Sequence, residues 1–139
     1  MIFLDTSSAI QILNGNPSIE LAYEKFDVSQ FGITTPSIFE LYTGIYKLKY
    51  LKKKISKRDY RKLHEDLEIF INQSNVYTLD EKAAKLGAKI HSQLKGKGQE
   101  IDSFDCLIAA VIHTNGFKEI ITINQKHFEK IEGLIVYSF

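Results

Sequence analysis

Four polar residues stand where short apolar runs end or where helices begin: Asp5, Glu40, Asp105 and Asn124. Three are carboxylates, and three carboxylates within a few ångströms repel one another enough that one tends to stay protonated. A divalent cation removes that conflict. Hard carboxylate oxygens with open water positions suit Mg²⁺ or Mn²⁺, so Asp5, Glu40 and Asp105 together have the chemistry of a divalent-cation site. Each residue also has a plainer role. Asp5 can cap the helix that follows it. Ser37-Ile38-Phe39-Glu40 has the spacing of a capping box, and so has Asp102-Ser103-Phe104-Asp105, with Asp102 as the cap. Taken singly, each acid is more readily a cap than a ligand; the chemical reading depends on the whole set converging.

Other chemistries find less support. His64, His91, His113 and His127 show no close metal-ligand pairing, which leaves them surface or packing roles. Cys106 sits beside Leu107 and Ile108 and reads as a small apolar group. Ser7 and Ser8 lack the small-residue elbow of a hydrolase nucleophile. No phosphate loop ending in Gly-Lys-Ser/Thr is present, and no spaced glycine fingerprint follows a strand. An aspartyl phosphatase would need a second Asp two residues after Asp5, where Ser7 stands.

The elements that must position these groups alternate. Ile2-Phe3-Leu4 is a short apolar strand ending at Asp5. Ser7–Leu13 is helical and stops at the turn cluster Asn14-Gly15-Asn16-Pro17. Ile19, Ala22, Tyr23 and Phe26 give a second helix, and Phe31–Thr35 a second strand. A long helix from about Ser37 carries Ile38, Leu41, Ile45 and Leu48 on one stripe and Phe39, Tyr42, Tyr46 and Tyr50 on another. The second stripe could face its own domain, a twin subunit or another partner. Then come a helix over Ser56–Ser74, a strand over Val76–Leu79, and a helix over Asp80–Leu94, broken by Gly96-Lys97-Gly98. A helix opened by Asp102, a strand over Glu119–Ile123, a helical turn over Gln125–Lys130 and a strand over Leu134–Tyr137 complete the chain. Apolar strands alternating with helices predict an α/β fold, a mostly parallel central sheet flanked by helices on both faces. In such a sheet, ligands bind beyond the carboxyl ends of the strands, where Asp5 and Asn124 fall.

The chain has 139 residues, 44% hydrophobic and 25% charged, which suits one folded domain over residues 1–139. A single cysteine excludes an internal disulfide framework and fits a reducing compartment. There is neither an apolar run long enough to span a membrane nor the basic start of a signal peptide, so a cytoplasmic location is expected. The formal charge of +1 hides an asymmetry. Between Lys47 and Lys62, nine basic residues face Asp59 alone, a local +8 that leaves −7 on the remainder. Such a patch is either a solvated connection between helices or a surface that attracts a polyanion.

Four segments in order resemble the PIN-domain family, in particular VapC-type toxin ribonucleases. They are Met1-Ile2-Phe3-Leu4-Asp5-Thr6-Ser7, Phe39-Glu40-Leu41-Tyr42-Thr43-Gly44, Asp105-Cys106-Leu107-Ile108-Ala109-Ala110 and Thr122-Ile123-Asn124-Gln125-Lys126-His127-Phe128. The resemblance implies a PIN-like three-layer sandwich with an acidic pocket for Mg²⁺ or Mn²⁺. Asp5 and Asp105 would be the chief ligands, with Glu40 as ligand or water-orienting base. Asn124 falls where many members have a fourth Asp; one charge is removed, although an amide oxygen can still accept a hydrogen bond or hold a water. Asp102 is an extra acid nearby that could compensate in part. The implied activity is metal-dependent endoribonuclease, the toxin of a type II toxin–antitoxin pair. Lys49, Lys52, Lys53, Lys54, Lys57, Arg58 and Arg61 would guide the RNA backbone. The implied partners are a cognate antitoxin and a second copy of the chain. Two alternatives stand beside it: a PIN-like module that binds RNA or protein without cutting, suggested by Asn124, and an RNA-processing nuclease with no antitoxin.

Overall fold

A computed structural model describes residues 1–26 and 30–139, Tyr23 by its backbone only. Its centre is a parallel sheet of five three-residue strands in the order β3-β2-β1-β4-β5: β1 (Ile2–Leu4), β2 (Gly32–Thr34), β3 (Asn75–Tyr77), β4 (Glu119–Ile121) and β5 (Ile135–Tyr137). Every pairing is parallel, so the sheet that the alternating pattern predicts as mostly parallel is wholly so.

Successive strand side chains point to opposite faces, and this divides the core in two. Ile2 and Leu4 of β1, with Ile33 and Ile121, meet α1 (Thr6–Leu13), α2 (Pro17–Phe26), α3 (Thr35–Lys47) and α4 (Lys57–Gln73). Phe3 and Ile120 face the other way, onto α5 (Glu81–Gly96), α6 (Ser103–Thr114) and α7 (Gln125–Phe128). Polar caps start the helices where the sequence places them. Ser56 Oγ accepts from the Asp59 amide at 3.1 Å, and Asp80 Oδ1 from the Ala83 amide at 2.8 Å. The side chain of Tyr23, expected on the apolar face of α2, lies outside the described residues. No described helix is long and apolar enough to cross a membrane.

Several boundaries differ from the sequence reading, β3 for example lying at Asn75–Tyr77 rather than Val76–Leu79 and α5 running on to Gly96, and two of the differences have a visible cause. The helix expected to run unbroken past Tyr50 leaves α-geometry at Leu48 and becomes a π-helical turn over Leu48–Lys52. None of that turn is buried, so no core contact holds it in α register. The turn ends at Lys53, a left-handed residue with φ 52°. β4 stops at Ile121 rather than Ile123, because the Thr122 hydroxyl accepts from the Asn124 amide at 2.9 Å and turns the chain away. The two stripes of α3 also separate. Leu41 and Ile45 are buried and Tyr42 is half-buried against the same core, while Phe39, Tyr46 and Tyr50 are exposed.

Phe3 and Gly32 are register partners in β1 and β2. A Cβ on Gly32 would stand 2.8 Å from Phe3 Cε1, and that ring is wedged between Tyr77 and Phe117, at centroid distances of 5.1 and 5.5 Å. Gly32→Ala is therefore expected to lower the unfolding free energy by about 1–3 kcal/mol, as overpacked cores do. Urea denaturation measures this directly, and an unchanged midpoint would contradict the packing argument.

Candidate active site

β2 and β3 lie to one side of β1, and β4 and β5 to the other. The strand order thus reverses between β1 and β4, the place where open α/β sheets present a crevice at their carboxyl edge. Asp5 leaves β1 there, and Thr122 leaves β4 beside it. Asp5 is 2% exposed. Its Oδ1 accepts from the Ser8 amide at 2.9 Å and the Ser7 hydroxyl at 2.8 Å; its Oδ2 accepts from the Thr122 hydroxyl at 2.6 Å and also lies 2.8 Å from Ser7 Oγ. Asp5 is the N-cap of α1 and also the centre of this network, so capping and site-building are one arrangement. Ser8 Oγ donates to the Ile121 carbonyl at 2.7 Å and ties α1 to the end of β4.

Glu40 is brought in by α3. The capping-box reading of Ser37–Glu40 is corrected here: Thr34 is the N-cap of α3, which moves Glu40 into the second turn. Its Oε1 accepts from the Thr6 hydroxyl at 2.6 Å. Asp105 comes from α6, whose cap is Asp102, accepting from the Phe104 amide at 2.8 Å. Asp105 does not complete a capping box; its Oδ2 lies 3.0 Å from His127 Nδ1. His127, assigned a surface or packing role from sequence, is exposed but paired with this acid. Asn124 is exposed and enters through its backbone, donating its N–H to Thr122. Lys49, Lys52, Lys53, Lys54, Lys57, Arg58 and Arg61 are all exposed on the π-helical turn, the following connection and the start of α4.

Sequence reasoning did not single out Thr6, Ser7, Ser8, Thr122 or His127 as parts of this site. The signal for the first three was available: Asp5-Thr6-Ser7-Ser8 holds more hydrogen-bonding side chains than one helix cap needs.

The model of the PIN domain family matches residues 2–134. The chain belongs to the PIN domain family. Comparison with curated proteins returns no match. Among solved structures, a chain of the DNA-bound VapBC from Salmonella typhimurium is 26% identical, with a TM-score of 0.78 over 99% of this chain and 98% of that one. A chain of VapBC2 from Rickettsia felis, bound to a promoter DNA fragment, is 22% identical with a TM-score of 0.79, covering 100% and 99%. A toxin–antitoxin complex from Klebsiella pneumoniae gives 18% identity and a TM-score of 0.72 over 100% of both chains.

In this PIN domain the acids sense one another. Burial raises the Glu40 carboxyl above its usual range, against the Thr6 hydrogen bond, and the charges of Asp105, Asp102 and Asp5 raise it further. Burial likewise raises Asp105, which the His127 hydrogen bond lowers and the charges of Asp102 and Asp5 raise. Burial also pushes the neighbouring Cys106 thiol up to about 11, which leaves it an inert packing group at neutral pH, as its sequence context implies. Among the described residues, no three His, Cys, Asp or Glu side chains stand close enough to hold an ion as they are. The donor set nonetheless has the right chemistry, because Asp5, Glu40 and Asp105 are oxygen ligands whose mutual repulsion a hard cation relieves.

Two outcomes follow. Thr122→Val removes a donor from the buried Asp5 carboxylate while keeping its shape, and is expected to cost about 1–3 kcal/mol of stability by chemical denaturation. Glu40→Gln keeps an acceptor for Thr6 but removes a desolvated charge, so in chelator it is expected to raise the thermal midpoint at neutral pH. Because the Glu40 pKa is raised on folding, its charged form opposes the fold above that raised pKa, and the penalty fades as pH falls. The gain should therefore vanish near pH ~4, below the unfolded value of a glutamate; a gain that is the same at both pH values would refute the electrostatic account.

Proposed function

We propose that this chain is a metal-dependent endoribonuclease, the toxin of a type II toxin–antitoxin pair acting in the cytoplasm. The observation that carries this reading is a PIN domain in which Asp5 ends β1, Glu40 is tied to the neighbouring Thr6 and Asp105 to His127 beyond the end of β4. Asp5, Glu40 and Asp105 would hold Mg²⁺ or Mn²⁺; when bound, the ion would lower the pKa of a coordinated water and polarise the phosphodiester. Asp5 offers a carboxylate that Ser7, Ser8 and Thr122 keep from turning. Glu40, with its raised pKa, is suited to take a proton from the attacking water. His127 steadies Asp105 by one oxygen and leaves the other to the site. Lys49, Lys52, Lys53, Lys54, Lys57, Arg58 and Arg61 attract the RNA backbone.

The VapBC and toxin–antitoxin complexes among the similar structures support an antitoxin partner. The surface offered to it is an apolar groove of about 200 Å³ between α1, α3 and α4, where Ile10, Leu13, Leu48 and Leu63 lead up to Glu40. A second copy of the chain completes the reading, seated against exposed Phe39, which stacks on Phe104 at 5.3 Å beside the acids.

Purified protein is to be incubated with a mixed cellular RNA pool in Mg²⁺, Mn²⁺ or EDTA. Discrete metal-dependent fragments are expected, and Asp5→Asn or Asp105→Asn should slow their formation at least about a hundredfold, on the order of 3 kcal/mol of transition-state stabilisation. Full activity in both variants, or cleavage indifferent to EDTA, would overturn the assignment. Absence of cleavage by folded, antitoxin-free protein would favour the binding module, with Asn124→Asp as the rescue.

A further inference from the structure

The basic segment is not a featureless charged surface. The π-helical turn and the start of α4 border an open cavity of about 540 Å³, lined by Lys49, Ser56, Lys57, Tyr60, Arg61 and His64 among others. That volume lies in the range of small-ligand sites. Of the nine basic residues between Lys47 and Lys62, only Lys62 forms an ion pair among the described residues, with Asp66. Lys49, Lys57 and Arg61 line the cavity together with no ion pair among the described residues, and a polyanion would relieve their mutual repulsion.

Aromatic rings are interleaved with those charges. Lys49 Nζ lies 4.6 Å from the Tyr60 ring centroid and 5.3 Å from that of Tyr50. His64 Nε2 is 2.9 Å from the Tyr60 hydroxyl, and the two rings meet edge-on at 4.7 Å. Tyr50 is 59% exposed, and Tyr46 beside it is exposed as well. The π-helical turn carries Lys49 and Tyr50 and ends at left-handed Lys53. π-turns recur at functional sites, and this one brings Lys49 across to α4.

We propose that this cavity is a nucleotide-anchoring subsite for single-stranded RNA, separate from the carboxylate site. Phosphates meet Lys49, Lys57 and Arg61, and an unpaired base stacks on the exposed Tyr50 ring beside Lys49 at the cavity's edge. Cations alone would suit any polyanion. Rings beside a cavity of this size select a strand whose bases can leave the stack, which a duplex keeps paired inside. The inference deepens the reading of the chain as a ribonuclease and takes RNA as the ligand from it.

The test measures binding with cleavage switched off. Fluorescence anisotropy of the full chain in EDTA is to be recorded with a labelled 12-nucleotide oligouridylate and with an RNA duplex of equal length. Wild type is expected to prefer the single strand at least about tenfold, the gain of one stacked base. Lys49→Gln/Arg61→Gln, both exposed positions, should weaken single-strand binding by more than about tenfold and reduce the slope of log affinity on log salt by about 1.4, near 0.7 for each lost contact. Tyr50→Leu should lower affinity without changing that slope. Lys82→Gln/Lys118→Gln, an equal charge loss elsewhere, should change affinity less than twofold. Equal losses in the control pair, equal affinity for duplex, tighter binding of a 12-residue polyglutamate, or conversion of a dimer to monomer by the cavity variants would each overturn the subsite. Strand binding through the cavity by a protein that cuts no RNA would sink the nuclease reading and keep the subsite. Cleavage with unaltered binding in the cavity variants would do the reverse.

Discussion

A carboxyl group with 2% exposure needs hydrogen-bond donors in place of the water it has lost, and the Asp5 network supplies them. The Ser8 amide and the Ser7 hydroxyl hold it from one helical turn away, and the Thr122 hydroxyl holds it from across the sheet. Those bonds set the angle at which α1 leaves β1 and pin the end of β4 alongside. Fold and site therefore share one constraint. A change that loosens this carboxylate disturbs the position of Ser8, hence its bond to Ile121, and so the crevice itself.

Around this fixed point the other acids are held differently. Glu40 hangs on a single hydroxyl and Asp105 on a histidine, and each retains an oxygen with no protein partner among the described residues. Burial and like charge raise both carboxyls above their usual range, against the hydrogen bonds from Thr6 and His127. One rigid acid with two tethered ones is an arrangement that can close around a positive charge without rebuilding the backbone. The contrast also assigns the hydroxyls their part: Ser7 and Thr122 bond to both oxygens of Asp5, while Thr6 bonds to one oxygen of Glu40.

Much of this was legible in the residues. Apolar triplets at Ile2–Leu4 and around Ile120 can only be short buried strands, and their alternation with capped helices gives a parallel sheet. Asp5, Glu40 and Asp105 stood out because each follows a strand or opens a helix that must end at the same edge. The hydrogen-bond partners were harder to see, since a hydroxyl 117 residues from its acceptor leaves no local pattern. Ser37–Glu40 misled for the opposite reason: a local motif was present, but Thr34 had already taken the cap. The π-helical turn was invisible because π and α turns share the same residues and differ only in what holds them. Asn124 looked like a weakened ligand, and its visible contribution lies in a backbone amide that any residue but proline could supply.

The distance along the chain between Asp5 and Thr122 has a consequence for the order of assembly. β1 is made well before β4, and its pairing with β4 and the hydroxyl that completes the Asp5 shell come only when residues 119–122 have been synthesised. Such non-local parallel contacts form late and slowly. A nascent chain held on the ribosome before that point carries all three acids without the crevice that gathers them. The crevice is thus a late product of synthesis, gathered only once β1 and β4 can pair.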